Sequence, residues 1–266
     1  MKRILTLAAI CVLAASCSLF ELDNYDAPEE HLFGKVVDRD GNPVLTDQGS
    51  EGIRIRLTET SWEGNVTPQD FYCKPDGTFN NSKVFEGDYN IRIDGPFVPI
   101  VRETSDGILI EDNSQNVHIK GDTEVNFEVD PFLNVELLDA SVSNGKITAK
   151  VRVTRGISRE DFQELVEPMG DWEDAFPNIT DIQLFVGYSS RMGYRNRDDR
   201  WGGKLEFTGK SFDDKLGKTV EIQSSGSIPS RRTVFIRAAA RINYDTPRGS
   251  GTRRWNYSEV QQIVVP

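Results

Sequence analysis

The side chains with most chemical potential fall in two stretches of the C-terminal half. Tyr188, Arg191, Tyr194, Arg195, Arg197, Arg200 and Trp201 crowd one glycine-containing segment. Tyr244, Arg248, Arg253, Arg254 and Trp255 flank the turn-rich Asp245-Thr246-Pro247-Arg248-Gly249-Ser250-Gly251. Aromatic rings offer flat apolar faces to the C–H face of a sugar, and arginine, aspartate and asparagine hydrogen-bond its hydroxyls. Loops held by a rigid scaffold suit such work. Trp172, in an irregular insertion, is a further platform, whereas Trp62 stands alone in a polar loop. The candidate glycan contacts are therefore Trp172, Tyr188, Tyr194, Trp201, Tyr244 and Trp255, with Arg195 and Arg254. A second reading stays open for each: large rings also cap apolar cores, and loop arginines also serve as plain solvated charge.

Catalytic patterns are scarce. His31 and His118 lie far apart in sequence, with no His-Glu-x-x-His spacing to seat zinc. There is no Gly-x-Ser-x-Gly elbow and no phosphate-cradling glycine run. Asp38-Arg39-Asp40-Gly41-Asn42 imitates a calcium loop, but Gly49 holds the twelfth position, where a bidentate glutamate belongs. That segment therefore reads as a turn. Carboxylates are plentiful enough to leave a glycoside hydrolase formally open, since two at the right separation suffice. The reading adopted is a protein without catalysis, cofactor or metal.

The N-terminus carries a different kind of chemistry. Lys2 and Arg3 precede an apolar run from Ile4 to Leu13, then Ala14, Ala15 and Ser16 lead to Cys17. The run is too short to span a bilayer, which takes about 20 apolar residues, so residues 1–16 read as a secretory signal. Small residues directly before a cysteine are what lipoprotein processing requires, although Leu13 sits one place further away than in the commonest pattern. Cys17 is thus expected to carry the lipid that anchors the protein to the membrane, the alternative being an ordinary signal with an incidental cysteine. After cleavage Cys73 is the one other thiol, so no intramolecular disulfide is possible, and Cys73 reads as a small buried hydrophobe.

Charge divides the chain. The whole carries 31 basic and 42 acidic residues, a net charge of −11. Residues 17–131 hold nine Lys/Arg against 24 Asp/Glu, a net −15, and residues 132–266 hold 20 against 18, a net +2. This step marks a boundary near Pro131, and the lack of a concentrated basic face argues against nucleic acid as a partner.

The elements that must position these side chains are strands. After a polar, acidic leader over 18–30, Ile53-Arg54-Ile55-Arg56-Leu57 alternates strictly, as do Tyr89-Asn90-Ile91-Arg92-Ile93 and Val125-Asn126-Phe127-Glu128-Val129. Ile108-Leu109-Ile110 and Val117-His118-Ile119 add further strands, with His118 in mid-strand and His31 where the leader meets the first strand. About seven short strands punctuated by turns predict an antiparallel sandwich. The second half restarts with Leu133-Asn134-Val135-Glu136-Leu137 and Lys146 to Val153. Ser158 then caps a short helix with Phe162, Leu165 and Val166 on one face, ended by Pro168. Strands return at 181–186, 219–222, 234–241 and 260–265. The expected class is all-β: two antiparallel β-sandwich domains in tandem, 31–131 and 132–266, with a short helical insertion in the second. Each is expected to fold alone.

Family resemblances add to this frame. Gly34-Lys35-Val36-Val37-Asp38, Asp40-Gly41-Asn42-Pro43-Val44, Gly52 to Leu57, Asp76-Gly77-Thr78-Phe79 and Glu86-Gly87-Asp88-Tyr89-Asn90-Ile91 resemble the transthyretin-like (carboxypeptidase regulatory-like) domain. That resemblance implies a seven-stranded structural or adhesive module without catalysis. Val234-Phe235-Ile236-Arg237-Ala238-Ala239-Ala240-Arg241 and the closing strand after Tyr257-Ser258 resemble the end of a fibronectin type III or immunoglobulin-like sandwich. With the leader Cys17-Ser18-Leu19-Phe20-Glu21-Leu22-Asp23-Asn24-Tyr25 as the lipidated tether (17–30), the whole resembles a family of Bacteroidetes surface lipoproteins of unknown function found beside starch-utilisation-type uptake systems. The resemblance implies an outer-membrane, outward-facing protein that helps capture an oligo- or polysaccharide. A spacer or adaptor docking on components of the uptake complex is the rival, and would show a contiguous exposed apolar patch.

Overall fold

The structure is a computed structural model that describes residues 27–61 and 64–266. The signal segment, Cys17, most of the tether and Trp62 lie outside the described residues.

Nine strands build the N-terminal part: β1 (Glu30–Val37), β2 (Arg54–Glu59), β3 (Gln69–Tyr72), β4 (Thr78–Val84), β5 (Gly87–Asp94), β6 (Val101–Glu103), β7 (Leu109–Asp112), β8 (Gln115–Ile119) and β9 (Asp122–Glu128). Seven of them form two facing sheets, β4-β1-β9 and β3-β2-β5-β8. The alternation in β2 works as its pattern predicts. Ile55 and Leu57 are buried, while Arg54 and Arg56 take the outer face. There Arg56 grips Asp70 on β3 through Nε and Nη2, both at 2.8 Å, and Arg54 Nε reaches Asp94 on β5 at 3.0 Å. These pairs tie the neighbours that β2 also bonds through its backbone. Leu32, Val36, Phe79, Ile91 and Phe127 fill the space between the sheets together with Cys73, whose thiol pKa is pushed up by burial.

Two features depart from the sequence reading. β9 lies parallel to β1, in register from His31 opposite Asp122 to Val37 opposite Glu128. Parallel neighbours need a long connection, and nearly the whole domain supplies it. Second, Ile108-Leu109-Ile110 is no core strand. It belongs to a hairpin, β6–β7, outside both sheets, with Ile108 65% and Leu109 57% exposed.

The C-terminal part comprises β10 (Leu133–Ser143), β11 (Lys146–Arg155), α1 (Arg159–Val166), β12 (Ile179–Gly187), β13 (Gly203–Glu206), β14 (Thr219–Gln223), β15 (Arg232–Ile242), β16 (Asn256–Tyr257) and β17 (Gln261–Val265). A three-stranded sheet, β10-β11-β14, faces a larger one centred on β12 and β15, with β16 and β17 both against β15. Val151, Val153, Ile182, Leu184, Ile236 and Ala238 are among the buried residues between them. α1 starts as its sequence predicts: Ser158 Oγ accepts from the Asp161 amide at 2.9 Å, and Phe162 and Val166 are buried. This N-cap satisfies a backbone donor that the first helical turn leaves open.

Candidate functional site

β15 sits in the middle of its sheet, paired along both edges, and Val234 and Ile236 to Ala240 are buried along it. Arg237, alone among apolar residues in Val234 to Ala240, is 2% exposed. Its guanidinium reaches out of its own domain into the N-terminal one. Nη1 donates to the Thr46 carbonyl at 2.7 Å and Nη2 to the Pro75 carbonyl at 3.1 Å, while Nε donates to the Ser258 carbonyl at 2.7 Å. The Tyr257 ring lies 4.5 Å away. Burial lowers the Arg237 pKa to about 10. Arg254 does the same work beside it: Nε donates to the Thr246 carbonyl at 2.8 Å, and Nη1 to the carbonyls of Ser50 (2.7 Å) and Gly52. Thr246 Oγ1 donates to the Gly95 carbonyl at 2.7 Å and Asn256 Nδ2 to the Pro96 carbonyl at 3.0 Å. A seam of buried polar bonds therefore joins the two sandwiches.

This seam absorbs several of the candidate glycan contacts, which are corrected here. Arg254 is buried as an interdomain clamp. Trp255 is fully buried, stacked on Tyr194 at 6.3 Å and 25°, with Arg241 4.2 Å from its other side. Tyr194 is half-buried, covered in turn by Arg197 at 4.4 Å. Arg195 donates its amide to Asp47 Oδ2 at 3.1 Å and carries its guanidinium to Ser50 and Glu51. Asp47 is fully buried, Oδ1 has no hydrogen-bond partner, and burial raises the pKa of its carboxyl. Tyr244 is buried against Phe132, Phe162 and Phe176 at 5.3–5.9 Å, its pKa pushed up to about 12 by burial. Trp172 lies half-buried on Phe162 and Phe176, and its Nε1 donates to Asp174 at 3.2 Å. Rings of this size carry too much apolar surface for a small sandwich to leave in water when a seam and a helix are there to cover it.

Among the candidate aromatics, one stands out to solvent. Tyr188 follows the last residue of β12 and is 53% exposed. Trp201, itself 3% exposed, meets it edge to face at 5.3 Å and 77°. Arg200 lies over that indole at 4.7 Å and holds Asp198 in a fork of 2.9 and 2.7 Å. The Arg200 bond keeps the Asp198 carboxyl below the usual range. Trp201 is thus corrected from ligand contact to support. The neighbouring loop locks this arrangement, with Ser225 Oγ donating to the Arg200 carbonyl at 3.2 Å. Gly226 packs so close that an added Cβ would stand 2.4 Å from that oxygen. The result is an exposed flat ring backed by Trp201 and set beside the Asp198–Arg200 pair, an arrangement that could stack a pyranose and bond its hydroxyls. Asp198 was missed in the sequence, where Asp198-Asp199-Arg200 reads only as surface charge.

The remaining polar candidates serve structure. Asp38 Oδ1 accepts from the amides of Asp40 (3.0 Å) and Asn42 (2.8 Å), closing the turn. His31 bonds Asp122 at 2.8 Å and stacks on Phe33, and His118 bonds Asp88 at 2.8 Å. Among the described residues no three His, Cys, Asp or Glu side chains are placed to share a metal ion.

The N-terminal domain model of a family described as protein of unknown function (DUF3823) matches residues 30–130. No curated protein matches the chain. The crystal structure of a DUF3823 family protein from Bacteroides uniformis superposes with a TM-score of 0.88 at 60% identity, covering 90% of this chain and all of that one. A second B. uniformis protein, for which carbohydrate binding is the proposed role, superposes with a TM-score of 0.63 at 22% identity, again over 90% of this chain and all of that one. A DUF3823 family protein from Parabacteroides merdae gives 0.59 at 19% over the same shares. The last two share the fold. The identity to the first, sustained over nearly the whole length, means that this chain belongs to the DUF3823 family.

Proposed function

We propose that the protein is a non-catalytic glycan-binding lipoprotein, anchored through Cys17 in the outer membrane and facing the cell exterior. The observation that carries the reading is the exposed Tyr188 ring, backed by Trp201 and flanked by the Asp198–Arg200 pair. The fold shared with a protein proposed to bind carbohydrate supports it, and Lys2 to Cys17 supports the anchor. Sugar hydroxyls are well solvated, so their hydrogen bonds add little net free energy, and a stacked ring should dominate affinity. The test is affinity electrophoresis of the full-length protein through gels containing soluble polysaccharides. Tyr188→Ala should weaken binding roughly ten- to a hundredfold, or about 1–3 kcal/mol. Retardation unchanged by the substitution would remove this surface from the site.

The exposed Ile108-Leu109-Ile110 hairpin favours a second reading, an adaptor docking on components of an outer-membrane uptake complex. Co-purification of such a complex with wild type and its loss in Leu109→Asp, with no glycan bound by either, would decide for the adaptor.

A further inference from the structure

Lys74, Asp76, Arg191, Arg237 and Glu259 meet across the domain seam in a cleft of about 230 Å³. Three of the five are cations, and none of the three forms a salt bridge with a described residue. Several other arginines of this acidic chain, by contrast, are ion-paired. Arg56 is paired with Asp70, Arg152 with Glu136, Arg200 with Asp198 and Arg241 with Asp181.

Arg237 is the informative member. A guanidinium has five N–H donors, and the acceptors of Arg237 are the carbonyls of Ser258, Thr46, Pro75 and, at 3.5 Å, Met192. All four are neutral. One Nη2 hydrogen is left over, and no carboxylate stands within salt-bridge distance of the buried charge, with Asp47, Glu259 and Asp76 acting on it only from further off. A buried charge without a counter-ion is costly, so an anion entering the cleft would gain more here than at a solvated arginine. Arg191, on the exposed rim, adds a second guanidinium, and Lys74 adds an ammonium from the opposite domain.

The two carboxylates narrow the choice of anion. Asp76 and Glu259 repel a simple anion, yet they accept hydrogen bonds from hydroxyls. The lining therefore suits a molecule carrying both a carboxylate and several hydroxyl groups. Its position adds a further constraint. Ser190 and Arg191 line the cleft, and Tyr188 lies two residues before Ser190, so their Cα atoms are at most about 7 Å apart. The rim of the cleft and the aromatic platform are thus carried by one short loop.

We infer that the cleft holds the carboxylate of a uronic acid residue, while the neighbouring sugar of the same glycan stacks on Tyr188. The inference rests on the glycan-binding reading and specifies its substrate class as an acidic polysaccharide. The cations orient the carboxylate, and Asp76 and Glu259 take the ring hydroxyls. No bond is made or broken.

Isothermal titration of the full-length protein with oligosaccharides of galacturonate and of glucuronate, each beside its neutral methyl ester, tests this. At least one acid should bind tenfold or more tightly than its ester, and raising salt should narrow the gap. Arg191→Glu changes an exposed side chain, and should abolish the gap by weakening the acid far more than the ester. Tyr188→Ala should weaken both. Equal affinity for acid and ester, with Tyr188→Ala still weakening both, overturns the inference and leaves the glycan reading intact. Competition by acetate as effective as by the oligosaccharide overturns it in favour of a general carboxylate site. Absence of binding to every oligosaccharide, acid or ester, also overturns it, and retardation in the polysaccharide gels then judges the glycan reading separately.

Discussion

Asp47 shows how one residue can be both structural and unfavourable. Its carboxylate is buried among Arg195, Arg237, Tyr257 and Glu51, with Oδ2 on the Arg195 amide and Oδ1 unpartnered. Gly193 packs against it so tightly that a Cβ there would stand 2.5 Å from Oδ1. Burial raises the folded-state pKa above the ordinary value of 3.8, outweighing the backbone bonds and the nearby arginines. The folded state therefore favours the protonated form. The stabilisation that comes with the proton is complete below pH 3.8 and is lost as pH rises through the raised folded pKa. Asp47→Asn keeps an acceptor for Arg195 and places a neutral amide where Oδ1 stands. Urea unfolding across pH 4 to 8 should show the variant at least as stable as wild type at neutral pH, with the difference shrinking toward acid. A variant less stable than wild type at every pH would mean that the ionised carboxylate is needed.

At the scale of elements, the two sandwiches solve different packing problems with the same alternation. β1 must accept β4 on one side and the parallel β9 on the other, and Gly34 is where β9 comes closest. A Cβ at Gly34 would lie 1.7 Å from the Val125 carbonyl oxygen, a backbone atom that cannot swing aside. Gly34→Ala should therefore part β1 from β9 and destabilise the N-terminal sandwich by about 3 kcal/mol, the upper range for overpacking. The shift in urea midpoint measures it. Amide exchange should quicken first at residues 31–37 and 122–128, and protection unchanged there would disprove the assignment. β15 is the opposite case, with Ala238, Ala239 and Ala240 all fully buried, small enough for other segments of the protein to pack close. The short helix α1 was legible because its cap and apolar face are local, i to i+3 and i+4. The fate of Ile108-Leu109-Ile110 was not, because an apolar triplet reads the same in a core strand as in an exposed hairpin.

At the scale of the molecule, the seam makes the two domains one mechanical unit. Arg237 and Arg254 donate to backbone carbonyls of Thr46, Pro75, Ser50 and Gly52, and Asn256 and Thr246 reach Pro96 and Gly95. Removing the Arg237 side chain would strip the buried carbonyls of Thr46 and Ser258 of this donor, at about 1–3 kcal/mol each, while Pro75 keeps the Thr46 amide. Wild type should unfold in one urea transition, seen alike by tryptophan fluorescence and far-ultraviolet dichroism. Arg237→Ala should lower stability by about 3 kcal/mol through the lost carbonyl bonds and split the transition in two. Two separate transitions already in wild type would show that the seam couples nothing. On the proposed glycan reading, this rigidity would also keep the domain-spanning cleft in one shape.

The sequence by itself determined the all-β class, the alternating faces of strands such as 53–57, the capped helix at Ser158 and the charge step near Pro131. Each depends on residues close together in the chain or on composition. It also picked out the crowded stretch from Tyr188 to Trp201 as the place to look. Which of those rings meets solvent was decided only by the tertiary structure. Exposure depends on what covers a side chain, and the covers here come from far away: Asp47 and Ser50 lie over Arg195, Arg241 over Trp255, and Phe132 and Phe162 over Tyr244. The lone arginine in Val234 to Ala240 was the one local signal of that seam. A charge inside an apolar strand has to be met by partners, and only the fold could say that they were the carbonyls of the other domain.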